Sequence, residues 1–132
     1  MDPFVNPARF YERVQQLLEQ GKSFAVATVI ASQGSTPRKA GAKMIVFADG
    51  SFEGTVGGGG FEGRTIAAAQ QAISDGTPCT LEHDLKPEHD AFCGGKITAF
   101  IEPFAAQPVL IVFGAGHVGR AVLRLFGTLG FK

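Results

Sequence analysis

The sequence has no tryptophan, a single tyrosine and only two cysteines, Cys79 and Cys93. Two thiols cannot build the disulfide framework that staples small secreted domains, so both are expected to stay reduced. There is no charge excess, because 12 Lys and Arg are matched by 12 Asp and Glu. That balance gives no electrostatic reason to expect nucleic acid or an anionic membrane as partner. No apolar run is long enough to span a bilayer. The N-terminus, MDPFVNPARF, lacks the basic stretch and apolar core of a secretory signal. These absences lead to the expectation of a cytoplasmic protein.

Chemistry is sparse too. His83, His89 and His117 have no metal-ligand spacing with the cysteines. There is no nucleophile elbow and no P-loop lysine motif, so no catalytic residue and no metal site is expected.

What is abundant is glycine, 18 of 132 residues, and phenylalanine, with 12. The glycines are clustered, so they mark particular loops. Asn6-Pro7 reads as a helix start, since Asn caps and Pro suits the first turn. Phe10, Val14, Leu17 and Leu18 follow at helical spacing, and Gly21 stops the helix. SFAVATVIAS is apolar on both faces and rich in β-branched residues, which predicts a buried strand. MIVFADGSFEGTV predicts a hairpin turning at Asp49-Gly50. GGGGFEGRTIAAAQQAISDG predicts a glycine loop and a helix, with Ile66, Ala69 and Ile73 inward and Gly76 and Pro78 at its end. CTLEHDL and KITAFIEPF alternate, placing Cys79, Leu81 and His83 on one face, and Ile97, Ala99 and Ile101 on one face. The linker AAQP precedes VLIVFGAGHVGRAVLRLFGTLGFK, read as strand, glycine loop and helix.

The expected fold is α/β. Residues 1–104 form an α+β domain with a mixed sheet, and 105–132 form the first βα unit of an incomplete Rossmann-like domain. Gly114, Gly116 and Gly119 complete a G-x-G-x-x-G in the strand-to-helix context that dinucleotide binding requires. The acidic residue about 20 positions further on has no place in this chain. Binding of NAD(P) is therefore not expected. The unit should pack on the first domain or on a second copy of the chain, and a homodimer would supply that surface.

Two other loops invite an anion. Gly57, Gly58, Gly59 and Gly60 lie between a strand and a helix, where converging backbone N–H groups can hold an anion or simply avoid clashes. The loop GSTPRKAGAK brings Ser35, Thr36, Arg38 and Lys39, hydroxyls and cations suited to an oxyanion or to solvent. FCGGK sets Cys93 beside Gly94 and Gly95, which makes Cys93 a more accessible thiol than one in a core.

Taken in order, GSTPRKAGAKMIVFADGSFEGTVGGGGFEGRTI, CGGKITAFIEPF and VLIVFGAGHVGRAV resemble the XdhC/CoxI family along nearly the whole chain. Its members are accessory proteins for xanthine dehydrogenase and related molybdenum hydroxylases. The resemblance implies a chaperone that binds the molybdenum cofactor (molybdopterin), supports its sulfuration and helps insert it into the apoenzyme. It implies an apo xanthine dehydrogenase or related hydroxylase as partner, and a cysteine desulfurase as sulfur source. Ser35, Thr36, Arg38, Lys39, Gly57 to Gly60, Glu62, Cys93, Gly94, Gly95, Gly114, Gly116 and Gly119 are then the cofactor-binding candidates. Two departures stand out. The family's glycine run typically ends in cysteine where this chain has Gly60, and the Rossmann-like part is cut after one βα unit. A non-binding paralogue acting as an oligomeric interaction module, and a nucleotide-dependent oxidoreductase, are the rival readings.

Overall fold

The computed structural model describes residues 4, 6–34, 36, 38–85, 95–114 and 116–132. The chain runs α1 (Pro7–Glu19), β1 (Phe24–Gln33), β2 (Lys43–Phe47), β3 (Phe52–Gly54), α2 (Gly59–Asp75), β4 (Cys79–Leu85), β5 (Gly95–Phe104) and α3 (His117–Thr128). The strands form one five-stranded sheet in the order β3-β2-β1-β5-β4.

The fold is α/β as expected, but the sheet is not mixed. Every pairing among the described strands is antiparallel. The reason lies in where α2 travels. It joins β3 to β4, which point the same way but sit at opposite edges of the sheet. The crossover that would make a parallel pair therefore connects strands that never touch.

Strand alternation splits β1 between two cores. Ala25, Ala27 and Val29 face α2, beside Met44 and Val46 of β2 and Ile97, Ala99 and Ile101 of β5. Phe24 and Val26 face α1 with Ile45, meeting Phe10 and Leu17. Helix α1 forms where the sequence predicts. Pro7 opens it, and the Asn6 side chain accepts the Ala8 amide at 3.0 Å. Burying Phe24 or Ile45 completely contributes about 1.5–3 kcal/mol each.

The buried stripe of α2 is Phe61, Thr65, Ala69 and Ala72, while Ile66 and Ile73, expected inward, only flank it. Small residues let the helix sit close over Ala25, Ala27 and Ala99. Thr65 is tolerated there because its hydroxyl donates to the Phe61 carbonyl at 2.8 Å.

The C-terminal part departs from expectation. Residues 109–113 form no strand. Instead, the Lys132 amide donates to Pro108 O and the Leu110 amide to Lys132 O, both at 3.0 Å, the bonding pattern of one parallel bridge between Val109 and Lys132. An extended segment becomes a strand only with a neighbour beside it, and a single bridge is all these residues have. Helix α3 buries no residue, and neither core cluster contains a residue beyond Phe104.

Candidate functional site at the glycine-loop end of the sheet

Antiparallel order decides which loops meet. β1 ends, β2 begins, β3 ends, β4 ends and β5 begins at one end of the sheet. This follows from the pairings Gln33 with Lys96, Thr28 with Lys43, Met44 with Gly54, and Leu85 with Gly95. The β1–β2 loop, the β3–α2 loop and both anchors of the β4–β5 connection therefore share that end. Thr36, Arg38, Lys39, Gly57 to Gly60, Glu62 and Gly95 are gathered there. Ser35, Cys93 and Gly94 lie outside the described residues.

The β3–α2 loop is built for close backbone approach. Gly57, Gly58 and Gly59 have φ of 139°, 81° and 59°, a left-handed run that only consecutive glycines adopt readily. The Gly57 amide donates to Thr55 Oγ1 at 3.1 Å, and the Gly58 amide to Glu62 Oε2 at 3.1 Å. Gly58 caps α2 without a side chain, so Glu62 reaches back from the first turn in its place, a variant of the capping box. The amides of Gly59, Gly60 and Phe61 belong to the first helical turn and find no intrahelical acceptor. A Cβ on Gly58, Gly59 or Gly60 would meet nothing within 4 Å, so no other part of the described chain packs against that side of the glycine run.

Electrostatically the site is divided. The helix N-terminus favours an anion. The Glu62 carboxylate offsets part of that preference, while Arg38 and Lys39 stand on the neighbouring loop. The Thr36 hydroxyl donates to the Arg38 carbonyl at 3.0 Å, which turns the β1–β2 loop back on itself. At the β4 edge, Arg64 donates to His83 Nδ1 at 2.7 Å, and the His83 ring stacks on Phe61 with centroids 5.7 Å apart. Arginine cannot accept, so Nδ1 is the acceptor and the neutral ring carries its proton on Nε2.

Sequence reading missed the Arg64–His83 pair, because nothing local links a helix residue to a strand 19 positions away. The reach-back of Glu62 had a usable signal: a Glu in the first turn after a cap that lacks a side chain.

The remaining candidates lie elsewhere. β5 carries the chain to the opposite end of the sheet, where Ala106 N donates to Ser23 Oγ at 3.0 Å and Lys132 Nζ to the Glu19 carbonyl. Gly114, Gly116 and Gly119 are attached at that far end, so the structure does not bring them to the other glycine loop. Gly119 has a local task, since a Cβ there would lie 2.2 Å from Gly114 O. Among the described residues no group of three or more His, Cys, Asp or Glu could hold a metal ion. No helix there is long and apolar enough to cross a membrane.

The sequence and fold that carry this loop are similar to those of known proteins. Residues 17–84 match the XdhC and CoxI family, and the chain belongs to it. It is 39% identical over 126 residues to the uncharacterized protein YqeB of Escherichia coli (strain K12), covering 92% of this chain and 23% of YqeB. It is 31% identical over 101 residues to the molybdenum cofactor insertion chaperone PaoD of the same organism, covering 74% of this chain and 32% of PaoD. A solved structure from Bacillus halodurans, described as a xanthine dehydrogenase, superposes with a TM-score of 0.60 at 27% identity, covering 89% of this chain and 34% of that one. The chain thus spans 23% to 34% of the length of these relatives.

Proposed function

We propose that this chain holds the molybdenum cofactor as cargo for a molybdenum hydroxylase of the xanthine dehydrogenase type, acting as an accessory protein and not as an enzyme. The observation that carries the reading is the meeting of the β1–β2 and β3–α2 loops at one end of the sheet, where the glycine run leads into the N-terminus of α2. The cargo is anionic, and backbone amides with Arg38 and Lys39 suit a phosphate or oxyanion. Membership of the family and similarity to an insertion chaperone support the same direction. Gly60 supplies no thiol, so the loop holds cargo through backbone amides and cations. Sulfuration, with a cysteine desulfurase as donor, and a cytoplasmic place of action complete the proposal.

The test is anaerobic incubation of the chain with molybdenum cofactor, removal of free ligand, oxidation, and measurement of pterin fluorescence in the protein fraction. Stoichiometric pterin is expected, with a marked loss in the double variant Arg38→Ala, Lys39→Ala. A folded wild-type chain that retains no pterin overturns the reading.

A second reading, that the C-terminal part makes protein contacts, is favoured by its exposed apolar side chains: Phe113 is 95% and Val118 78% accessible. A homodimer through this part predicts a concentration-dependent mass in light scattering, and a monomer at all concentrations refutes it.

A further inference from the structure

On the α1 side of the same end lies a cleft of about 460 Å³, between the start of α1 and the β1–β2 loop. That volume falls within the range of small-molecule sites, about 300–1,000 Å³. Its lining includes Phe4, Phe10, Tyr11, Arg38 and Lys43. Phe10 meets Phe4 edge to face with centroids 5.0 Å apart, and Tyr11 likewise at 5.3 Å. Phe10 is buried at the back, whereas Tyr11 is 60% exposed. An exposed Tyr beside the buried Phe10 and the half-buried Phe4 offers a ring at the mouth of the cleft.

Lys43 is one of the cations of this cleft. Lys43 Nζ donates to Thr28 Oγ1 at 3.0 Å and lies 5.5 Å from the Phe10 ring centroid. Among the described residues no carboxylate lies within ion-pair distance of Lys43. An ammonium has three donors, and the hydroxyl occupies one of them. A half-buried cation beside aromatic rings, with no carboxylate next to it among the described residues, suits a planar ligand that carries an anionic group.

One residue of the cleft packs on the strand that leads into the glycine loop. Phe4, which lines it, packs so closely on Gly54 that a Cβ there would lie 2.5 Å from Phe4 Cδ2. Gly54 ends β3 and leads directly into Thr55 and the glycine run.

We propose that this cleft is the ring-binding subsite of the site described above, taking a planar heteroaromatic ring at Tyr11 and an anionic substituent at Lys43. The choice of a pterin as that ring rests on the proposed function. The cleft chemistry itself calls only for a planar aromatic anion.

The probes are a 6-alkylpterin phosphomonoester, the same pterin without phosphate, and inorganic phosphate, each titrated into the full chain by fluorescence or calorimetry. The phosphorylated pterin should bind tightest. Tyr11→Ala should weaken both pterins about tenfold, as loss of one stacking contact does. Lys43→Gln, which keeps a donor for Thr28, should weaken only the phosphorylated one, also about tenfold. Equal binding by wild type and Tyr11→Ala overturns the inference, as does inorganic phosphate binding as tightly as the phosphorylated pterin. The two proposals fail separately. If the wild type and Tyr11→Ala retain molybdenum cofactor equally, the subsite is wrong and the chaperone reading stands. If the wild type retains none but binds the phosphorylated pterin with the expected variant pattern, the reverse holds.

Discussion

The carboxylate of Glu62 accepts the amide of Gly58 at 3.1 Å, closing the first turn of α2 over a loop of glycines. The same oxygen accepts the Thr55 hydroxyl at 2.5 Å. One side chain thus fixes both ends of the glycine loop. Glu62→Ala removes both bonds and should lower stability by about 1–2 kcal/mol, the upper range for a lost helix cap. Urea denaturation measures this. An unchanged midpoint would show that the glycine run holds its shape unaided.

Two neighbouring glycines should respond in opposite ways to alanine. Gly58 has φ of 81° and ψ of −176°, a conformation nearly closed to side chains, so Gly58→Ala should cost about 1–3 kcal/mol. Gly60 is helical, and a Cβ there meets nothing within 4 Å. Gly60→Ala should therefore stabilise the chain by about 0.5–1 kcal/mol, and Gly60→Cys should fold equally well. Thermal unfolding of both alanine variants decides it. Destabilisation by Gly60→Ala would contradict the open space seen there.

Gly119→Ala places a methyl 2.2 Å from Gly114 O, a clash with backbone that no rotamer relieves. Because α3 buries no residue, the damage should stay local. Amide exchange over residues 117–128 should accelerate, while the main unfolding transition moves by less than about 0.5 kcal/mol. A shift of the whole transition would mean that the C-terminal part stabilises the sheet.

Asp49 gives the turn between β2 and β3 an acid sensitivity. The Ser51 hydroxyl and then the Ser51 amide donate to its carboxylate at 2.6 and 2.9 Å and hold it below its ordinary value of 3.8. A lowered folded value stabilises the native state above the unfolded value, and that contribution is lost as pH falls through the folded one. Asn keeps an acceptor oxygen but does not titrate in this range. The stability difference between wild type and Asp49→Asn should be constant from roughly pH 7 to 5 and shrink below about 4. Parallel denaturation series over pH test this. A constant difference down to about pH 2 refutes it.

Much of the fold was legible because its signals are local. Asn6-Pro7 marked the start of α1, Asp49-Gly50 the hairpin, and alternation placed Ile97, Ala99 and Ile101 on one face. What escaped depends on partners distant in sequence. Nothing in 109–113 says whether a strand will lie beside it. The sheet's antiparallel character follows from α2 spanning β3 to β4 across three intervening strands, which no local pattern encodes. The candidate site divided for the same reason. Two glycine motifs that read as one binding set are separated by the length of β5. Conversely, no local pattern in the sequence joins Tyr11 to Lys43, which the fold sets around one cleft.

The opposed placement of the two glycine motifs gives the domain a front and a back. Residues after Phe104 leave from the back, where Ser23 and Glu19 hold them, while the glycine run and the aromatic cleft lie at the front. A neighbouring module or fused label attached behind can be exchanged without crowding the front. The sheet works as a spacer that keeps the handle clear of the mouth.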